Sequence, residues 1–71
     1  MSMIQVTNSN NNKIYINPLF IISLCELTNV DNRMCKTEIS LFSLSMRFHS
    51  MICIEDIDTV FKKIEKAKDR R

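Results

Sequence analysis

Ile54-Glu55-Asp56-Ile57-Asp58-Thr59-Val60-Phe61-Lys62-Lys63-Ile64-Glu65-Lys66-Ala67 is the stretch in which the hydrophobic period of the chain changes. Ile57, Val60, Phe61, Ile64 and Ala67 fall at i, i+3, i+4, i+7 and i+10, one stripe of a helix. Asp56 is placed to cap the first turn, and Glu55 and Asp58 put negative charge beside it. Lys66, Lys68, Arg70 and Arg71 crowd the other end, where cations complement the helix dipole. Start, face and end agree on an amphipathic helix over about 56–69 with a frayed basic C-terminus.

Upstream of that helix the period is two. Met3-Ile4-Gln5-Val6-Thr7 and Lys13-Ile14-Tyr15-Ile16-Asn17 alternate apolar and polar side chains, and the five residues between them are Asn-Ser-Asn-Asn-Asn. Those residues bond their own main chain and tolerate left-handed backbone, which matters because the chain has no glycine. The two segments therefore read as a hairpin. After Pro18, Leu19 to Leu27 reads as a third strand, with Phe20, Ile22 and Leu24 on one face and Ile21 and Cys25 on the other. Thr28 to Lys36 is polar enough for a loop, Thr37 to Leu44 alternates around Ile39 and Leu41, and Phe48 to Ile54 is rich in β-formers. The fold class expected is α+β: a small antiparallel sheet of about five strands over about 3–54, built of two hairpin-like units and closed by the C-terminal helix.

Size and charge narrow the function classes. With 71 residues and 45% hydrophobic content there is material for one domain, 1–71, and one core. A domain this short buries only about 60% of its unfolded surface, so self-association is a reasonable source of further stability. The longest apolar run, Leu19 to Ile22, is far short of the roughly 20 residues that cross a bilayer. No membrane insertion is expected. Cys25, Cys35 and Cys53 contain no Cys-x-x-Cys pair, which suits reduced thiols and a cytoplasmic location.

Chemistry finds little to work with. Cys25, Cys35, His49 and Cys53 are four potential metal ligands, but they are spread through strands and a loop rather than paired on knuckles. Nucleophilic catalysis needs a base and an oxyanion cradle, and the chain offers one histidine and no glycine. The carboxylates of Glu55, Asp56 and Asp58 sit where helix caps sit. No enzyme activity, metal or cofactor is expected. For nucleic acid, Lys66, Lys68, Arg70 and Arg71 are the candidate contacts. The aromatics argue against it, because Phe20, Phe42, Phe48 and Phe61 mostly occupy positions expected to pack.

Several of these segments, taken in order, resemble the small flagellar FlbD-type proteins, also called the SwrD family. The carrying residues are Met3-Ile4-Gln5-Val6-Thr7, then Lys13-Ile14-Tyr15-Ile16-Asn17-Pro18 with Phe20-Ile21 and Ile22-Ser23-Leu24. Thr37-Glu38-Ile39-Ser40-Leu41 and Ile54-Glu55-Asp56-Ile57-Asp58-Thr59-Val60 complete the set. The resemblance implies a small non-enzymatic protein linked, in flagellated bacteria, to motor function, with relatives in prophages. Here the family's Asn-Gly hairpin turn is replaced by Asn10-Asn11-Asn12, and its glycine turn before the last strand by Ser45-Met46-Arg47. A looser likeness is to the carbon storage regulator proteins, strand-rich RNA-binding dimers whose glycine-containing N-terminal motif is missing here.

The leading expectation is a protein-interaction module, homo-oligomeric and with a further protein partner. In the last strand Phe48, Ile52 and Ile54 point one way while Met51 and Cys53 point the other, and one helix covers only one side. The surplus apolar face, with Tyr15 as an exposed strand aromatic, is the expected interface: Phe48, Met51, Ile52, Cys53, Ile54 and Tyr15. The alternatives are a phage-encoded inhibitor or ligand-sequestering protein acting against a host defence system, and a small RNA-binding regulator.

Overall fold

The N-terminal alternation folds as a hairpin because only one face of each strand has to leave water. A computed structural model describes residues 2–28, 34–43 and 47–69. It places β1 at Ile4–Thr7 and β2 at Lys13–Ile16, antiparallel, with Ile4 opposite Ile16 and Val6 opposite Ile14. Ile4, Val6 and Ile16 are buried while Tyr15, between the two inward isoleucines, is exposed. Asn8 organises the turn. Its side-chain Oδ1 accepts from the main-chain N–H of Asn10 (3.0 Å) and Asn12 (2.9 Å), its C=O accepts from Asn11 N–H at 3.0 Å, and its own N–H donates to Asn12 C=O at 2.9 Å. Asn11 takes the left-handed position, φ 67°, that glycine would otherwise fill.

The next strand does not continue that sheet. Asn17 accepts from Leu19 N–H through its side chain (3.0 Å), Pro18 supplies a pre-set φ, and Pro18–Phe20 forms a single 3₁₀ turn that swings the chain away. A second sheet follows, of three antiparallel strands in the order β3 (Ile21–Glu26), β4 (Thr37–Ser43), β5 (Arg47–Cys53). Five strands in two sheets thus replace the continuous sheet expected from sequence. The register of β3 shifts between Ile21 and Ser23. Both Ile21 and Leu24 consequently pack against the core, and Ile22 is turned out to 52% exposure, which strict alternation had put on Leu24's side. The expected turn at Ser45-Met46-Arg47 and the loop through Asp31 lie largely outside the described residues.

The helix α1 spans Ile57–Asp69, and Asp56 caps it: its Oδ1 accepts from Thr59 N–H at 2.9 Å and its C=O from Val60 N–H at 3.1 Å. Hydrogen bonds from the Thr59 side chain and from its main-chain N–H hold the Asp56 carboxyl below its ordinary value. Val60, Ile64 and Ala67 are buried together with Ile4, Val6, Ile16, Ile39, Leu41 and Cys53 in one core. Phe61, on the edge of the same stripe, is 53% exposed.

Glu55 fastens the two ends of the fold. Its carboxylate Oε1 accepts from Thr7 N–H at 2.9 Å, while its C=O accepts from the hydroxyl of the fully buried Thr37 at 2.8 Å. Alongside, Ile54 N–H donates to Thr7 C=O (2.9 Å) and Lys63 Nζ donates to Gln5 C=O (2.6 Å). Burial pushes the Glu55 carboxyl up, but the Thr7 and Glu55 amides, the Thr7 side chain and the Lys63 charge outweigh it and hold it below the ordinary value.

Arg47 opens β5 with φ 61°, left-handed backbone that costs an L-residue with a Cβ roughly 1–2 kcal/mol. Glycine also loosens the unfolded chain, which offsets part of the gain. Arg47→Gly is therefore expected to stabilise the protein by about 0.5–1 kcal/mol, read as a higher urea midpoint at unchanged m-value. A lower midpoint would mean that the Arg47 side chain contributes more than its backbone costs.

Candidate functional site

Large hydrophobic side chains that remain in water mark the surface on which this small fold has something left to bury. Tyr15 (61% exposed), Phe20, Phe42 and Phe48 (74%) gather at one end of the molecule, where the 3₁₀ turn and β2 face the ends of β4 and β5. Between them runs a groove of about 690 Å³, lined among others by Ile14, Tyr15, Phe20, Phe42, His49 and Met51. Its floor is continuous with the core, since Ile14 and Met51 also pack against the buried cluster. Phe42 and Phe48 are direct cross-strand partners, and their rings lie 5.0 Å apart at 53°, an aromatic contact that sets the exposed Phe48 against the groove-lining Phe42.

Why these residues end up exposed is local. The 3₁₀ turn takes Phe20 out of strand alternation before β3 begins, and Phe42 and Phe48 fall on the sheet face turned away from the core. That outer face is not uniformly apolar. Reading across the ladder, Ser23, Ser40 and Ser50 make one row and Cys25, Glu38 and Ile52 the next, so the apolar surplus contracts to the Phe42–Phe48 end. The expectation that the phenylalanines would mostly pack is corrected: Phe20, Phe42 and Phe61 are exposed, as is Phe48, which was also an expected interface residue.

Of the interface candidates, Tyr15 and Met51 line the groove and Phe48 flanks it. Ile52 is half-buried on the outer face, and Ile54 is half-buried beyond the strand end with its N–H engaged by Thr7. Cys53 is 0% exposed and belongs to the core, because the parity that carries Met51 inward carries Cys53 deeper still. It is withdrawn as a contact residue. Phe20 and Phe42 were missed; the Asn17-Pro18 pair, a turn signal, was the available hint for Phe20. Lys66 and Lys68 are exposed on α1, while Arg70 and Arg71 lie outside the described residues.

The polar groups offer a contrast. Among the described residues no three His, Cys, Asp or Glu side chains come close enough to hold a metal ion. Cys25 and His49 are exposed, whereas Cys35 and Cys53 are buried. Burial and the neighbouring Glu55 charge push the Cys53 thiol up to about 11. At pH 8 this group is protonated and shielded, so it is a poor nucleophile. Thiol labelling of the native protein is expected to modify Cys25 rapidly and Cys35 and Cys53 only on the timescale of opening, as peptide mass mapping will report. Equal rates at all three would refute the packing around Cys53.

No protein-family model matches the chain, and neither a curated protein nor a solved structure matches it. No described helix is long and apolar enough to cross a membrane.

Proposed function

We propose that the chain is a small non-catalytic interaction module, assembling with copies of itself and docking a protein partner in the groove between the hairpin and the β4–β5 end. The observation that carries this reading is the groove itself. Exposed aromatics and a methionine surround a concavity of about 690 Å³ in a chain of 71 residues. Interface cores are enriched in aromatic residues and Met and depleted of charge, and among the described residues of this lining His49 is the one titratable side chain beside Tyr15. The shielded thiol, the exposed lone histidine and the capping role of Asp56 support a role by binding rather than chemistry. The helix turns Val60, Ile64 and Ala67 into the core, so that stripe is not the docking surface in this reading.

The FlbD-type resemblance is consistent with this reading, and so is a phage-encoded inhibitor acting in the same way; both place the protein in the cytoplasm. The test compares capture from host extract by the wild type and by Tyr15→Glu. Tyr15 is exposed, so the substitution leaves the fold intact by circular dichroism. A partner retained by the wild type and lost at least tenfold by Tyr15→Glu supports the groove. A partner held equally by both overturns it, as does salt-sensitive RNA recovery that depends on Lys66 and Lys68.

A further inference from the structure

We infer that β5 pairs with β5 of a second copy, antiparallel about Ser50, joining two three-stranded sheets into one of six. This deepens the self-assembly part of the proposed function by naming its surface, and rests on that part alone. Leu27 N–H donates to Lys36 C=O at 2.9 Å, which fixes the phase of the β3–β4 ladder and, by alternation, that of β4–β5. Residues 47, 49, 51 and 53 turn their main-chain groups to β4. Phe48, Ser50 and Ile52 turn theirs outward, and among the described residues no main-chain group meets them.

The two edges of this sheet differ in how they are protected. β3 carries a register shift and ends on Glu26, and the 3₁₀ turn precedes it directly. Bulges, charge and short length are the ordinary guards of an edge. β5 has seven residues in unbroken register, no proline and no acid. Its free stretch is also bounded: at Ile54 the outward N–H is already taken by Thr7 C=O. What remains open is centred on Ser50, so the register that uses it fully pairs Phe48 with Ile52 of the second copy and Ser50 with its own twin.

Chemistry across that register is favourable on both faces. Phe48 against Ile52 is an aromatic and β-branched pair, and it extends the Phe42–Phe48 contact into the second sheet. Ser50 against Ser50 brings two hydroxyls together, and His49 meets Met51. The Arg47 side chains fall at opposite ends, so no like charges face each other. About six new main-chain hydrogen bonds result. Such a pairing lies near the lower end of specific interfaces, about 1,200 Å² in total, so the dimer dissociates on dilution.

Ser50→Pro isolates this contact. Its N–H points outward, so proline there removes no ladder bond while blocking the edge. Sedimentation equilibrium over a hundredfold concentration range is expected to show monomer–dimer exchange for the wild type. Ser50→Pro is expected to stay monomeric throughout, with an unchanged circular dichroism spectrum. In a Cys25→Ser background, Ser50→Cys is expected to cross-link with a short bis-maleimide at least tenfold faster than Ser23→Cys. Three results overturn the inference: a wild type that is monomeric at the highest concentration, a dimer that survives Ser50→Pro, or equal cross-linking rates. Partner capture through the groove is unaffected by any of them, so the two readings fail separately. A dimer that survives Ser50→Pro but is broken by Tyr15→Glu transfers the self-contact to the groove.

Discussion

Val60→Asp is expected to leave the protein unfolded at 25 °C. Val60 is 0% exposed and sits where α1 meets the core that also holds Ile4, Val6 and Ile39. A carboxylate there has no partner, and a buried unpaired charge falls in the class of substitutions that cost about 4–5 kcal/mol or more. A domain of this length has only about 4–10 kcal/mol to lose. The far-ultraviolet spectrum should lose its helix and strand signals together, since the helix alone is too short to persist in water. Val60→Ala, which removes two methyl groups without adding charge, is expected to fold and to lose about 2 kcal/mol. A folded Val60→Asp protein would show that the helix docks differently from the arrangement described.

Glu55→Gln is the second large effect, and it is expected to appear most clearly as a change in pH dependence. The substitution keeps an oxygen for Thr7 N–H but removes the charge that the bond and Lys63 favour, at a cost of about 1–2 kcal/mol near neutrality, reduced by partial exposure. A carboxyl whose pKa is lower folded than unfolded stabilises the fold above its unfolded value, and that contribution is lost as pH falls through the folded one. Wild-type stability should therefore decline on acidification below the ordinary Glu range, with Asp56 contributing in the same direction. Glu55→Gln should decline less. Urea midpoints measured from pH 7 to pH 3 decide the matter, and parallel curves for the two proteins would remove Glu55 from the acid response.

What was legible in the sequence follows from which forces are local. The change of period at Ile57 and the Asp56 cap involve neighbours along the chain, and α1 begins where they place it. The hairpin was equally plain, because Ile4, Val6, Ile14 and Ile16 alternate around a turn that Asn8 and Asn11 make without glycine. The register shift at Ile22 was not, since a bulge is decided by what the strand packs against rather than by its own residues. Nor was the split into two sheets, which depends on the 3₁₀ turn redirecting the chain. The site was half legible: Tyr15 showed itself as the odd aromatic on a polar parity, whereas Phe20 needed that same turn, and Cys53 was misplaced because inward and outward parity look alike on an apolar strand. Cys35 sits in a segment polar enough to read as loop, yet it is buried.

The fastening of β1 to α1 through Glu55 and Lys63 has a kinetic meaning as well. The hairpin and the β4–β5 ladder each join residues close in the chain, so they need little loop closure. The Thr7–Glu55 and Gln5–Lys63 bonds span 48 and 58 residues, so their loop-closure cost is higher and they are expected to be made after the local ladders, beyond the rate-limiting step. Contacts of that kind form late, so weakening them accelerates unfolding more than it retards folding. The lifetime of the folded molecule, rather than the speed with which it is reached, is thus set at the point where its first strand meets its last helix.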